Sequence, residues 1–373
     1  MNVNRNTICA RCVMDTTDPS IQFDEKGVCN HCRTYELMMQ QWVLMGEAGR
    51  QKIGDIAATL RQRSLNRRYD CVIGVSGGVD STYVAYSVKR LGLRPLAVHL
   101  DNGWDSELAV RNIENVCRTL QIDLQTVVLD WEEFRDLQLA FLKASTPDSE
   151  IPSDHAIVAS MYHTARRLRV PVIAGYNHRT ESHLPAAWSQ GHYDWRYIRS
   201  VQAAHGTKPL KSFPHLNWIQ GQRFVRGLIP LLNYMSYSKT EAMPLLEKEV
   251  GWRYYGKKHY ESIYTRFYQG YFLPRKFGYD KRKSHLSSLI CSGEITREAA
   301  VRELEQDTYP VDLQEQDKEY VIKKLRLTTS QFDDIIRLPK NSFWDYPSYA
   351  ALQRLWFSPF VRMLYRNLLK ERL

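Results

Sequence analysis

The sequence has no long hydrophobic run. No stretch reaches the roughly 18 consecutive apolar residues that cross a bilayer, and the N-terminal MNVNRNTICARC has no apolar signal segment. These absences predict a cytoplasmic protein. Because the cytosol keeps thiols reduced, the seven cysteines are not expected to form a disulfide framework. Internal repeats and low-complexity segments are also missing, which disfavours solenoid and disordered classes.

The sequence also has fewer acidic than basic residues. Lysine and arginine total 51 against 41 acidic residues, for a net charge of +10. This balance favours an anionic partner such as a nucleotide, a nucleotide-sugar, RNA or an acidic membrane surface, although a solvated basic surface is the alternative. The chain is 373 residues long, which predicts about two to three domains. We place them at 1–40, 41–240 and 241–373.

Four of the cysteines lie near the N-terminus. Cys9 and Cys12 form one C-x-x-C pair, and Cys29 and Cys32 form another. Sixteen residues lie between the two pairs. Two such pairs can surround one tetrahedral zinc ion and close its coordination shell, so we predict a structural zinc knuckle. Redox cysteines or chance pairs are the alternatives, and His31 is a competing ligand. The remaining cysteines are predicted to be ordinary core or surface residues: Cys71, Cys117 and Cys291.

Short β-branched apolar runs alternate with helical patterns between residues 69 and 175. The runs at 69–76, 94–101, 123–130 and 170–175 predict strands, and the segments at 81–91, 105–120, 131–144 and 153–168 predict helices. This alternation predicts right-handed βαβ units and a Rossmann-like parallel sheet covered on both faces.

The signals after this region are weaker. Residues 185–235 lack periodicity and predict loops and short elements. From Ser238 a helix is predicted to Glu249, with S-K-T-E as its capping box and Gly251 as its C-cap. Residues 252–293 are dense in basic and aromatic residues, and 294–373 predict a mostly helical region.

The glycine-rich stretch SGGVDS, residues 76–81, has no lysine. A P-loop needs one, and a dinucleotide fingerprint needs G-x-G-x-x-G, so neither fits. The stretch follows a predicted strand and opens a helix, where backbone N–H groups bind phosphate. Gly77 and Gly78 allow close approach, while Ser76 and Ser81 add hydroxyl donors. Asp80 is expected to hold magnesium beside the phosphate.

SGGVDS resembles the SGGxDS motif of the ATP pyrophosphatases, the PP-loop enzymes, which have an adenine nucleotide alpha hydrolase-like fold. The resemblance implies that ATP places its β/γ pyrophosphate in this loop and its adenosine near the end of VHLDNG, residues 98–103. It also implies three further ATP-binding residues, which are His99, Asp101 and Gly175. Members of the superfamily adenylate a substrate oxygen, release pyrophosphate and let a nucleophile displace AMP.

A wider pattern narrows the resemblance. The knuckle block at 9–32, SGGVDS and the block from KHYESIYTRF to SGEITREAA at 258–300 together resemble the N-acetyl sugar amidotransferases of surface-polysaccharide (LPS O-antigen) synthesis. The resemblance implies that ATP activates an N-acetyl carbonyl of a nucleotide-linked diacetamido sugar or uronic acid. Ammonia then displaces AMP to give an acetamidino group. The implied cofactors are ATP, Mg²⁺ and Zn²⁺.

No stretch presents a convincing glutaminase cysteine with a partnered histidine. Ammonia is therefore expected from outside. The resemblance implies a separate glutamine amidotransferase pair, similar to the two halves of imidazole glycerol phosphate synthase. No nucleic-acid partner is expected.

The basic block supplies the remaining catalytic candidates. Beside Asp80 we predict Lys258, Lys281, Arg282 and Glu261, since these side chains could bind pyrophosphate or sugar anions, orient the cations or take a proton. A solvated basic face is the alternative. Neighbouring candidates for anion binding or orientation are Lys257, His259, Arg266, Lys276, Asp280 and His285.

Candidates at the sheet edge and the C-terminus are less specific. Asp154, Asn177 and Glu181 follow predicted strands or helices at the ligand edge, whereas the histidines at 155, 178 and 183 are predicted to be ordinary surface or core residues. The basic amphipathic segment 352–373 predicts a helix that packs on its own domain or contacts a membrane surface or partner.

Two other functions remain open from the residues. PP-loop tRNA sulfur transfer is the nearer one, but it usually needs further paired catalytic cysteines. A non-catalytic nucleotide sensor is the other, and the intact SGGVDS loop argues against it.

Overall fold

The structure, a computed structural model, describes residues 7–256 and 260–350. Five strands form a parallel sheet in the order β3-β2-β1-β4-β5. They are β1 Cys71–Gly74, β2 Pro95–Asp101, β3 Asp123–Val128, β4 Val172–Ala174 and β5 Ile229–Pro230. Ile73 of β1 pairs with Ala97 on one side and Ile173 on the other, so β1 is central. The predicted parallel α/β fold is confirmed.

Sixteen α-helices surround or extend this sheet in the described ranges. They are α1 Asn30–Trp42, α2 Gly46–Arg63, α3 Val79–Arg90, α4 Glu107–Thr119, α5 Trp131–Ala144, α6 Ile151–Leu168, α7 His178–Glu181, α8 Trp195–His205, α9 Trp218–Gly227, α10 Lys239–Val250, α11 Ile263–Phe267, α12 Leu273–Phe277, α13 Lys281–Ser292, α14 Arg297–Leu304, α15 Val311–Lys324 and α16 Thr329–Arg337. A π turn at Tyr268–Phe272 joins α11 to α12.

Helices cover both faces of the sheet. Successive residues of a strand point to opposite faces, so neighbouring strand residues are buried against different helices. Ile73 is buried in the cluster that includes Val88 of α3, whereas its neighbour Val72 is buried in the cluster that includes Ala159 of α6. The first crossovers run from β1 to β2 and β3, and the chain then returns to the far side of β1 for β4. The carboxyl ends of β1 and β4 therefore form the switch point where such folds bind ligands.

The prediction of loops over 185–235 is wrong in part. Helices α8 and α9 lie there, and the Asp194 side chain caps α8 by accepting from the N–H of Tyr197 at 2.9 Å. Helix α8 packs on α5 and buries Tyr197, Ile198 and Val201. Charged and polar residues separate the apolar ones in this helix, which obscured the helical period in the sequence.

The C-terminal region is helical, as predicted, from α11 to α16. Its aromatic residues share one core cluster with α5: Phe134 and Phe141 of α5 are buried with Phe272 and Phe332. The domain boundaries therefore stay predictions, since packing is continuous between these segments.

Within 7–256 and 260–350, none of the helices combines the length and the apolar character that a bilayer crossing needs. The predicted amphipathic helix at 352–373 lies outside the described residues.

Candidate functional site

The SGGVDS loop connects the end of β1 to the start of α3. Gly77 takes a left-handed φ of +78°, and a Cβ there would lie 2.5 Å from the carbonyl oxygen of Ala109 in α4. Only glycine fits this approach. Gly78 precedes α3 without a side-chain cap. An uncapped helix N-terminus at the carboxyl end of a central parallel strand suits a phosphate.

The two serines of the loop are held together. The Ser81 hydroxyl accepts from the N–H of Ser76 at 3.2 Å and donates to the carbonyl of Gly78 at 3.0 Å. The Ser76 hydroxyl lies 3.3 Å from that of Ser81. Gly175, just after β4, comes so close to this turn that a Cβ would lie 3.3 Å from the Ser81 nitrogen. The loop and the end of β4 thus form one compact surface.

Asp80 faces two residues that the sequence did not indicate as site residues. Its carboxylate is 2.9 Å from the Lys239 ammonium and accepts from the Tyr237 hydroxyl at 2.5 Å. Burial lowers the pKa of Lys239, but the carboxylates of Asp80 and Glu181 outweigh this and hold it above its ordinary value. A magnesium ion on Asp80 would therefore share the carboxylate with a lysine, and that assignment stays a prediction.

The S-K-T-E capping box predicted at the start of α10 is wrong. Ser238 makes no side-chain cap, and the residue after it, Lys239, reaches Asp80 instead. The predicted C-cap is confirmed, because Gly251 takes a φ of +65°.

His99, near the end of β2, is buried between two acceptors. Its Nδ1 lies 3.1 Å from the Val75 carbonyl oxygen, and its Nε2 lies 3.2 Å from the Asp105 carboxylate. Burial lowers the pKa of His99, but Asp105 and the carbonyl raise it above its ordinary value. Both nitrogens can donate only in the imidazolium form. Asp101 instead shapes the turn after β2, accepting from the N–H of Gly103 at 2.8 Å.

A cavity of about 830 Å³ extends from the loop to the C-terminal helices. Ser76, Ser81, His99 and Gly175 line one end of it. Glu181 also lines it, whereas Asn177 lies outside this lining and caps α7 by accepting from the N–H of Thr180 at 3.0 Å. Another part of the lining, which we call the charged wall, consists of Asp148, Glu150, Asp154, His192 and Lys281.

Lys281 is the cation at the centre of the charged wall. Its ammonium is 3.2 Å from Glu150 and 3.5 Å from Asp148. Burial lowers the pKa of Lys281, but Asp148, Glu150 and Asp154 together raise it above its ordinary value. Lys281, a predicted catalytic residue, therefore lines the cavity as a buried cation. Its partners Asp148 and Glu150 were not predicted as site residues.

The acidic residues of the charged wall differ in proton affinity. Burial raises the pKa of Glu150. At Asp148 burial also acts to raise the pKa, but the positive charges of Lys281 and His192 outweigh it, so the pKa is lowered. His192 lies 3.0 Å from Asp154 and 2.8 Å from the Ser189 hydroxyl. Burial lowers the pKa of His192, but Asp154 raises it above its ordinary value. Groups with opposed shifts in one cleft are typical of acid–base sites.

Glu261 lies at the loop end of the cavity. Its carboxylate oxygen would be 3.8 Å from a Cβ on Gly78, and its carbonyl accepts from the N–H of Ser106 at 2.8 Å. This backbone contact brings the C-terminal segment to the end of β2. Lys258, with Lys257 and His259, lies outside the described residues, so its catalytic role stays a prediction.

Other basic candidates are engaged by the protein itself. The Arg282 guanidinium pairs with Asp280 at 2.7 Å and donates to the carbonyls of Glu303 and Gln306 at 3.0 Å. Arg266 forms a two-bond pair with Asp317, both at 2.7 Å. These contacts favour structural roles, although Arg282 and Arg266 both border the cavity, so their predicted roles stay predictions.

Lys276 lies away from the cavity lining. It donates to three carbonyls at the C-terminal end of α16, those of Ile335, Ile336 and Leu338, at 2.8 to 3.0 Å. Burial lowers its pKa to about 8. These bonds fix the last turn of α16 and leave no ammonium hydrogen for a ligand.

The four N-terminal cysteines converge. Their sulfurs all lie within 4.8 Å of one another, with Cys12 to Cys29 and Cys29 to Cys32 at 3.7 Å and Cys9 to Cys32 at 4.0 Å. Tetrahedral zinc with Zn–S bonds of about 2.3 Å separates sulfurs by roughly 3.8 Å. All four are fully buried, and Cys9 also accepts from the N–H of Cys29 at 3.2 Å. The cluster fits zinc, whereas His31 points away and binds Asp18 at 2.6 Å.

The cysteine knuckle docks on the C-terminal helices. Arg297 of α14 donates to the carbonyls of Cys9 and Cys12 at 3.1 Å. The N–H of Val13 donates to Ser287 of α13 at 3.2 Å. The knuckle therefore supports α13, the helix that begins with Lys281.

The prediction that Cys291 is an ordinary residue is wrong. It lies 3.8 Å from the Cys32 sulfur, at the edge of the thiol cluster. Cys71 and Cys117 are ordinary buried residues, and burial raises their pKa values to about 12 and about 11. No local pattern marks Cys291, because its partners lie more than a hundred residues away along the chain.

The parallel sheet, the SGGVDS loop after its central strand and the cavity beyond this loop define an α/β protein that resembles the PP-loop proteins. Residues 261–358 match the family model described as LPS biosynthesis protein WbpG-like, C-terminal domain. Through this segment the chain is similar to the WbpG-like LPS biosynthesis proteins, and the predicted kinship with surface-polysaccharide proteins is confirmed.

Other similarities are more distant. The uncharacterized protein MJ1599 of Methanocaldococcus jannaschii is 22% identical over 313 residues, which cover 83% of this chain and 96% of that protein. An NH3-dependent NAD synthetase from Campylobacter jejuni has a TM-score of 0.31 and 18% identity, over 73% of this chain and 93% of that one. An NMN synthetase from Francisella tularensis has a TM-score of 0.29 and 16% identity, over 48% and 71%.

Proposed function

We propose that this protein is an ATP-dependent amidotransferase of LPS O-antigen synthesis. The carbonyl oxygen of an N-acetyl group on a nucleotide-linked diacetamido sugar attacks the α-phosphorus of ATP, and pyrophosphate leaves. Ammonia then forms a bond to the activated carbon. The carbon–oxygen bond breaks, AMP departs with the former acetyl oxygen, and the sugar keeps an acetamidino group.

The observation that carries the proposal is the shared cavity. One end is lined by the SGGVDS loop, which suits a nucleotide phosphate. The charged wall includes Lys281 from the segment that is similar to WbpG-like LPS biosynthesis proteins. A volume of about 830 Å³ is within the range of small-molecule sites. Such a cavity can place a sugar substrate against an ATP phosphate.

In this proposal the loop end binds and polarises ATP. The loop N–H groups, Ser76 and Ser81 hold the pyrophosphate, and the His99 imidazolium offsets negative charge beside it. Asp80 would hold Mg²⁺, which supplies charge neutralisation of the phosphates when bound. Lys239, 2.9 Å from Asp80, would help to orient this carboxylate.

The charged wall would receive the sugar and the nitrogen nucleophile. The amine must lose protons as the carbon–nitrogen bond forms, and Asp154, hydrogen-bonded to His192, lies at the wall where it can accept one. Lys281 keeps Asp148 ionised beside it. Glu261 stands nearer the loop and would orient cations there.

Free ammonia is scarce at neutral pH, since ammonium predominates. We therefore propose that a separate glutamine amidotransferase pair delivers ammonia to this protein. No nucleic acid enters the proposed reaction.

The buried thiols count against sulfur transfer to tRNA. A sulfur carrier works as an accessible thiolate of low pKa. Cys71 in β1 and Cys117 in α4 are buried, and burial raises their pKa values. Neither side chain suits that role.

The direct test mixes full-length protein with ATP, Mg²⁺, an ammonium salt and a panel of nucleotide-linked diacetamido sugars, and measures AMP and pyrophosphate. We expect AMP that depends on one sugar, whose mass falls by the difference between O and NH. Asp80→Asn should abolish it, and Asp55→Asn, an exposed carboxylate of α2, should not. AMP formed only with tRNA and a sulfur donor would replace this proposal with the tRNA enzyme.

A further inference from the structure

A thiol and an imidazole adjoin the knuckle cluster on the side of the cavity. Cys291 lies 3.8 Å from the Cys32 sulfur, and its own sulfur lies 3.6 Å from Nε2 of His183. The three donor atoms lie within 4.8 Å of one another. They come from α1, from the segment after α7 and from the last turn of α13, so only the tertiary fold brings them together.

The spacing matches that of ligands around one metal ion. Zinc has Zn–S bonds of about 2.3 Å and Zn–N bonds of about 2.0–2.1 Å, which in a tetrahedron separate two sulfurs by roughly 3.8 Å and a sulfur and a nitrogen by roughly 3.6 Å. The two observed separations are 3.8 and 3.6 Å. A disulfide would need sulfurs about 2.05 Å apart, so Cys32 and Cys291 are held at a ligand distance rather than a bonding distance.

The imidazole is held in the orientation that a metal ligand needs. His183 is fully buried, and its Nδ1 lies 3.0 Å from the Ser288 hydroxyl, while Nε2 faces Cys291. Metal-bound histidines are commonly fixed in this way by a hydrogen bond at the other ring nitrogen. Both ring nitrogens of His183 therefore have a defined polar neighbour, and the neighbour of Nε2 is a thiol.

We propose a second zinc site, formed by Cys32, His183 and Cys291, in which the Cys32 thiolate bridges to the zinc of the knuckle. Five thiolates and two zinc ions leave one net negative charge, and Arg11 and Arg297 lie beside the cluster to offset it. The fourth position takes water, since the described residues offer three donors here. His183 also lines the cavity, so this metal belongs to its wall. The site would exist whatever reaction takes place at the SGGVDS loop.

The test is the metal content of the full-length protein, measured by inductively coupled plasma mass spectrometry. We expect two zinc ions per chain in wild type and one in Cys291→Ser and in His183→Gln. Cys117→Ser, which changes a buried thiol far from the cluster, should keep two. One zinc per wild-type chain, unchanged by Cys291→Ser, would overturn the proposal.

A second measurement does not depend on whether the variants fold. Cadmium-113 NMR of cadmium-loaded wild-type protein should show two resonances, one from a four-sulfur site and one shifted upfield by nitrogen and oxygen ligands. A single four-sulfur resonance at saturating cadmium would mean that Cys291 and His183 only surround the knuckle, and would also overturn the proposal.

Discussion

Lys281 determines the charge balance of the cavity wall. Its ammonium is the partner of two buried carboxylates, Asp148 and Glu150. Removing one member of a buried ion pair leaves an uncompensated charge, which costs about 3–5 kcal/mol. We expect Lys281→Met to lower the free energy of unfolding by that amount, as measured by chemical denaturation, and to abolish AMP formation.

The matched control is an exposed ion pair. Arg50 and Glu47 pair on the surface of α2, and Arg50→Met should change the free energy of unfolding by less than about 0.5 kcal/mol. Adding Glu150→Gln to Lys281→Met should recover part of the loss, because it removes one stranded carboxylate. If the double variant is no more stable than the single one, Glu150 is not a partner of Lys281.

His99 should make stability depend on pH. Folding raises its pKa, because the attraction of Asp105 outweighs the effect of burial. The protonated pair therefore stabilises the fold fully below the unfolded pKa of about 6.5, and this contribution is lost as pH rises through the higher folded value. The difference in melting temperature between wild type and His99→Gln should be larger at about pH 5.5 than at about pH 8.5.

The partner residue provides the control for this pH effect. In an Asp105→Asn background, His99→Gln should cost a similar amount at both pH values. A wild-type difference that is equal at acid and alkaline pH would show that His99 does not gain its proton from this pair.

Residues that act within one short segment could be predicted from the sequence, and residues that meet only in the tertiary fold could not. The four knuckle cysteines and the loop serines belong to short motifs whose spacing is visible in the sequence. Lys239 reaches Asp80 from more than 150 residues away, and no local pattern marks it. The TPDSE segment before α6 contains a local pattern from which part of the charged wall could have been predicted. In it two carboxylates, Asp148 and Glu150, flank a serine immediately before a helix.

The strand–loop–helix element around SGGVDS depends on the crowding of Gly77 by α4. Gly77→Ala would force a Cβ against the Ala109 carbonyl in addition to its unfavourable φ. Gly251→Ala has a similar positive φ but no atom within 4 Å, so it isolates the cost of the left-handed conformation, about 1–2 kcal/mol. We expect both variants to lose stability but only Gly77→Ala to lose AMP formation.

If Gly77→Ala retains the wild-type rate of AMP formation, the loop tolerates a shift of its backbone and does not need a close approach to phosphate. Equal losses of activity in both variants would point to general destabilisation instead.

At the scale of elements, apolar strands were the most predictable part of the chain. β1 to β4 lie within the predicted runs. β1, β2 and β4 are buried and carry the continuous apolar signature of parallel strands, whereas β3 is a mostly exposed edge strand. Helix α8 was missed because its buried face mixes Tyr197 and Gln202 with Ile198 and Val201. The α10 cap was misassigned: Ser238 makes no side-chain cap, and its neighbour Lys239 contacts Asp80. Local preferences fail where tertiary contacts recruit the same residues.

At the scale of the molecule, the knuckle should stabilise more than its own residues. Binding of structural zinc is coupled to folding, and Arg297 and Ser287 tie the knuckle to α14 and α13. Chelation should therefore lower the melting temperature of the whole protein, with a shift of roughly 2–4 °C per kcal/mol lost.

A variant of the knuckle itself checks that prediction. Cys9→Ser should melt early without chelator and should respond little when chelator is added. A wild-type melting temperature that does not change with chelator, under conditions where metal analysis shows that the zinc has left, would mean that the cysteines pack without needing an ion.

Helix α13 carries Lys281 at its first residue and Cys291 near its last. At about 1.5 Å of rise per residue it is a rod of roughly 18 Å, too short to bend appreciably between its ends. Its charged start and its thiol end therefore cannot move independently. Preparations that differ in zinc occupancy should consequently behave as mixtures of competent and incompetent molecules, with kcat proportional to occupancy and KM unchanged.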